Sequence, residues 1–127
     1  MKYIIASHGS MASGIKNTLE LLIGKNENII AYDAYIDNQD FSKDFSVLMD
    51  KLANEDCVYV FTDVISGSVT QVVSEYLNRK NIYIITGVNL PLILEIVLRN
   101  DLLNAETINK IIEESKTQMI FLNQQIQ

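Results

Sequence analysis

Four short runs rich in β-branched, aromatic and aliphatic residues, Tyr3 to Ser7, Asn28 to Tyr35, Cys57 to Thr62 and Ile82 to Thr86, alternate along this chain with segments whose apolar residues recur every three or four positions. The first spacing suits strands and the second suits helices. Nearly continuous apolar strands joined by helical crossovers imply an α/β fold: a doubly wound, mostly parallel sheet with helices on both faces.

The helical segments carry clear stripes. Met11, Ile15, Leu19 and Leu22 form the first, which Gly24 ends. Phe41, Phe45, Leu48 and Leu52 follow Asp40, and Val69, Val72, Val73, Tyr76 and Leu77 follow Ser68. Pro91 opens a fourth helix with Leu92, Ile93, Ile96 and Val97 facing inward, because proline has no N–H to lose in a first turn. Asn104 caps a fifth, marked by Ile108, Ile111 and Ile112. Each stripe is expected to face the core. A last β-like run, Met119 to Leu122, makes the order β-α-β-α-β-α-β-α-α-β and the sheet five-stranded. Such a terminal strand could pair antiparallel at an edge, or leave its subunit to complete a neighbour's sheet.

With 127 residues and no repeat or linker, residues 1–127 are expected to form a single domain. No apolar run approaches the length of a membrane span, and the opening Met1-Lys2-Tyr3 lacks a signal-peptide pattern, so the expected location is cytoplasmic. The formal charge is −6 with the basic residues scattered, which argues against nucleic acid or anionic lipid as a partner. Cys57 is the sole cysteine, so there is no intrachain disulfide and no cysteine metal cage. It is expected to pack as a small hydrophobe.

In open α/β sheets, ligands gather beyond the carboxyl ends of the strands. There the chain places Ser7-His8-Gly9-Ser10, Asp63-Val64-Ile65-Ser66-Gly67-Ser68 and Thr86-Gly87-Val88-Asn89-Leu90-Pro91. His8, the only histidine, is expected at the rim of a crevice, beside the backbone of Gly9. A carboxylate from Asp63 would fix one ring nitrogen as a donor and leave the other's lone pair free as a nucleophile. Ser68-Val69-Thr70-Gln71 has the spacing of a capping box, so Ser66, Gly67 and Ser68 would lead into a helix start able to hold phosphoryl oxygens. No cluster of carboxylates suggests a metal, and no cofactor is expected.

These three loops, in this order and spacing, resemble the mannose family of enzyme IIA domains of the bacterial phosphoenolpyruvate-dependent sugar phosphotransferase system. The anchors are Ile4-Ile5-Ala6-Ser7-His8-Gly9, the Asp63 to Ser68 loop and Gly87-Val88-Asn89-Leu90-Pro91, and the likeness covers nearly the whole chain. The resemblance implies that His8 is the phosphorylated histidine, charged by the phosphocarrier HPr and discharged to an enzyme IIB component, and through it to membrane IIC and IID components. It implies that Asp63 is the orienting carboxylate, that Ser68 is the serine of the glycine-rich loop, and that a homodimer exchanges the edge strand from Met119 to Leu122. Against the family's commonest loop, Asp-Thr-Trp-Gly-Gly-Ser-Pro, this chain has Val64, Ile65 and Ser66 before Gly67, and Val69 in place of the proline. Rival readings are the phosphotransfer domain of a dihydroxyacetone kinase system, a receiver-like module phosphorylated at Asp63, and a non-catalytic regulatory module. Neither a Walker loop nor a Rossmann glycine fingerprint follows any strand.

Overall fold

A computed structural model describes residues 1–125. The elements are β1 (Lys2–His8), α1 (Met11–Ile23), β2 (Ile29–Ala34), α2 (Phe41–Lys51), β3 (Val58–Thr62), α3 (Ser68–Ser74), β4 (Ile82–Thr86), α4 (Leu90–Arg99), α5 (Ala105–Lys116) and the single turn α6 (Leu122–Gln125). They fall into two compact units, one spanning Met1–Val88 and the other beginning at Asn89.

In the first unit the strands form one parallel sheet in the order β2-β1-β3-β4. Stepping outward from β1 in both directions is the hallmark of double winding, and it brings the ends of β1 and β3 side by side. Ile4, Ala6, Val58 and Val60 turn to one face, where they pack with Phe41, Phe45 and Met49 of α2 and Val69 and Val73 of α3. By strand alternation Tyr3, Ile5, Tyr59 and Phe61 turn to the other, with the Tyr3 and Tyr59 rings stacked 5.8 Å apart. Ser7 shares that second face, and its Oγ accepts the Ala12 N–H at 2.8 Å, which fixes where α1 starts.

That bond also sets the rotation of α1. Ala12 and Leu19 are buried, whereas Met11 and Leu22, expected on the core stripe, are exposed. Leu77 is likewise exposed, because α3 ends at Ser74 before reaching it. Phe41, Phe45 and Leu52 are buried as expected, with Asp40 as the cap, its side chain accepting from the Lys43 N–H. Cys57 is fully buried, and burial pushes its thiol up, so it behaves as a small apolar side chain.

In the second unit Asn89 caps α4 by accepting the Leu92 N–H at 3.0 Å, and Pro91 sits in the first turn. Leu92, Ile93, Ile96 and Val97 are all buried. Asn104 caps α5 through the Thr107 N–H, and Asn89 Nδ2 donates to the Ser115 carbonyl at 2.9 Å, tying the start of α4 to the last turn of α5.

The fifth expected strand does not form within the chain itself. Among the described residues the sheet has four strands, all parallel, and Met119 to Phe121 take no regular structure before Leu122 opens α6. A strand needs a neighbour to bond its backbone, and a short apolar run has no means of holding an extended form alone. Met119, Ile120, Phe121 and Leu122 all carry exposed apolar side chains. Among the described residues no helix is long and apolar enough to cross a membrane.

Candidate active site

The site grows from the ends of β1 and β3. Ala6 is in register with Thr62, so His8 and Asp63 leave neighbouring strands within reach of each other. One oxygen, Asp63 Oδ2, accepts both the His8 backbone N–H and His8 Nδ1–H, each at 2.8 Å. The other, Oδ1, accepts the Val64 N–H at 2.9 Å. Burial works to raise the Asp63 carboxyl, but the bonds from the His8 backbone, the His8 ring and Val64 outweigh it and hold the group below its ordinary range.

With Nδ1 committed as a donor to a carboxylate, the neutral ring carries its lone pair on Nε2. The His8 side chain is 41% exposed and that of Asp63 only 10%, so the carboxylate is shielded while the ring meets solvent. Gly9 follows with φ +61°, a backbone state that most residues avoid, and its N–H still reaches the Ala34 carbonyl at 2.9 Å. The chain thus turns sharply just after His8 without losing the β1–β2 ladder.

The turn between β3 and α3 closes over the ring. A Cβ placed on Gly67 would lie 2.7 Å from His8 Cε1 and 2.9 Å from Val64 Cγ2, so only a bare Cα fits. Ser68 Oγ is 3.3 Å from His8 Nε2, and its hydroxyl donates to Tyr35 Oη at 2.9 Å. Ser66 is exposed in the turn. The expected capping box is not formed. Gly67 occupies the N-cap position with no side-chain cap, Ser68 is the first residue of a seven-residue helix, and its hydroxyl is turned to Tyr35 and His8 instead.

Two contributors lay outside the sequence-based site. Thr70 Oγ1 donates to the Val64 carbonyl at 2.6 Å and lies 2.9 Å from Thr62 Oγ1 and 3.2 Å from Thr86 Oγ1, pinning the turn to the ends of β3 and β4. Tyr35 was expected inside a strand, but β2 stops at Ala34 and Tyr35 takes φ +65°. For a bulky residue that conformation costs on the order of 1–3 kcal/mol and calls for a compensating role. Its ring centroid is 5.4 Å from that of His8. The one available signal was position, since Tyr35 follows a strand that feeds the same sheet edge.

A partly exposed imidazole held at Nδ1 by a shielded carboxylate, with Nε2 not bound to that carboxylate, is equipped for nucleophilic attack on an electrophile that the ring then holds as a cation. The sequence pattern of the family described as "PTS system fructose IIA component" matches residues 2–116. The chain belongs to that IIA family. Solved structures agree. This IIA chain is 31% identical to a protein described as a phosphoenolpyruvate-dependent sugar phosphotransferase system permease of Klebsiella pneumoniae, with a TM-score of 0.91 over 99% of this chain and 93% of that one. It is 28% identical to the PTS IIA protein associated with the fucose utilization operon of Streptococcus pneumoniae, with a TM-score of 0.85 over 99% of this chain and 96% of that one. It is 26% identical to the component EIIA of Streptococcus agalactiae, with a TM-score of 0.81 over 97% of this chain and 98% of that one. No match was found among curated proteins.

Proposed function

We propose that this IIA protein is a phosphohistidine relay: His8 Nε2 accepts a phosphoryl group from phospho-HPr and passes it to an enzyme IIB component during sugar uptake. The observation that carries this reading is the pair of hydrogen bonds that Asp63 Oδ2 accepts from the backbone and the ring of His8, each at 2.8 Å. It leaves the lone pair on Nε2 and supplies a negative charge beside a ring that becomes positive when nitrogen bonds phosphorus. Gly9, Ser66, Gly67 and Ser68 are assigned to the phosphoryl oxygens, with the Ser68 hydroxyl already beside Nε2. The catalysis asked of the protein is positioning and charge placement, which is what phosphoryl transfer mainly needs.

The wider reading follows the family. Residues 1–127 act as one cytoplasmic domain, and two copies pair so that Met119 to Leu122 of each joins the partner's sheet as an antiparallel edge strand. Four exposed apolar side chains in that run support it, because a monomer gains nothing by presenting them to water.

Incubation with phosphoenolpyruvate, enzyme I and HPr should label the protein on one residue, His8, with an acid-labile and base-stable bond. His8→Ala should take no label. Label on another residue, or none on the unsubstituted protein, would defeat the proposal. Sedimentation of the protein truncated before Met119 tests the exchange: the truncated chain should be monomeric where the full chain is dimeric.

A further inference from the structure

Tyr35 is a large side chain that is 51% exposed, held at φ +65° and bonded to the serine beside the reactive nitrogen. We propose that Tyr35 is a positioning residue for phosphoryl transfer at His8: its phenol oxygen draws the Ser68 hydroxyl proton away from Nε2 while that nitrogen is the nucleophile, and releases it to a phosphoryl oxygen once phosphorus is bound. The proposal rests on the relay reading above.

A serine hydroxyl has one proton to give. Ser68 Oγ stands 3.3 Å from Nε2 and 2.9 Å from Tyr35 Oη, so the ring nitrogen and the phenol compete for it. A proton directed at Nε2 would occupy the electron pair that must attack phosphorus. Directed at Tyr35, it leaves the pair open. In the transfer step the Nε2 pair forms the new N–P bond, the bond from phosphorus to the donor's ring nitrogen breaks, and its electron pair returns to the donor ring. Nδ1 keeps its proton throughout, bonded to Asp63, so no proton leaves the site. The Ser68 hydroxyl then turns to a phosphoryl oxygen, and its freed lone pair accepts the Tyr35 O–H.

The geometry of the ring supports a role through the hydroxyl. Tyr35 lies 5.4 Å from the His8 ring and edge-on to Phe41 at 6.2 Å, contacts that a phenylalanine keeps. Tyr35→Phe therefore deletes the one group in question.

Two measurements test the idea: the rate of phosphoryl uptake from phospho-HPr, and the nitrogen resonance of His8 Nε2 in the unphosphorylated protein. Tyr35→Phe should slow uptake about tenfold with little change in the KM for phospho-HPr, the scale of one misdirected hydrogen bond. It should also move the Nε2 resonance toward that of a hydrogen-bonded nitrogen. Placed in a Ser68→Ala background it should slow uptake no further, because its effect runs through Ser68. Uptake at the unsubstituted rate, an unmoved resonance, or equal slowing with and without Ser68 would overturn the proposal. An unsubstituted protein that takes no label at His8 would overturn the relay reading as well, whereas normal labelling with an inert Tyr35→Phe would defeat this inference alone.

Discussion

Gly67 presses its bare Cα against the His8 ring, leaving room for no methyl group: a Cβ there would lie 2.7 Å from His8 Cε1. Cε1 adjoins Nδ1, the nitrogen bonded to Asp63, so pushing the ring there disturbs that bond. Gly67→Ala should therefore swing the imidazole off the carboxylate rather than reshape the turn. The expected result is a fall of about tenfold or more in His8 labelling, with a stability loss of about 1–3 kcal/mol from overpacking. Labelling rate and a urea melt on the same preparation would check both.

Asp63→Asn keeps the size of the side chain but offers an amide in place of a charge. The amide can present its NH2 to Nδ1, which favours the tautomer with the proton on Nε2 and blocks the nucleophile. Uptake of phosphate should drop by about 100-fold or more, with the fold intact by circular dichroism. A variant that labelled at the unsubstituted rate would remove the orienting role from Asp63.

The depressed Asp63 carboxyl also makes a statement about acid stability. Its folded value lies below the ordinary 3.8, so the folded state binds fewer protons there than the unfolded chain does. The resulting stabilisation is fully present above 3.8 and is lost as pH falls through the lower folded value. The urea-midpoint difference between the unsubstituted protein and Asp63→Asn should begin to shrink once the pH falls below about 3.8, and the two should converge in stronger acid.

Thr70→Val removes a hydroxyl and leaves the Val64 carbonyl without the 2.6 Å bond that pins the turn. The cost should be about 1–3 kcal/mol in thermal or urea unfolding, with the Val64 to Gly67 amides exchanging faster. Because Thr70 does not touch the His8 ring, uptake should slow less than in Gly67→Ala.

The four strands were legible because runs such as Val58-Tyr59-Val60-Phe61 are apolar, β-prone and bounded by breakers. The His8–Asp63 pair was legible too, since double winding brings the ends of β1 and β3 together whatever the loops contain. The rotation of α1 was not: Ala12 carries little hydropathy, and its burial is decided by a bond to Ser7 that no periodicity encodes. Ser68 was assigned to a local capping pattern, while its actual partners are 33 and 60 residues away in the chain. For Tyr35 the obstacle was the sign of φ, because tyrosine favours strands and nothing in the residue type announces a left-handed turn. The Met119 to Leu122 run reads as a strand by composition, but composition does not supply the second strand that pairing requires.

The grip of a single carboxylate oxygen on both the main chain and the ring of His8 has a logistical consequence. With one nitrogen clamped, the imidazole has a single berth, so on the relay reading proposed above the deliverer must depart before the recipient can dock. Supplier and customer are obliged to queue at the same door, so an excess of either should obstruct the other.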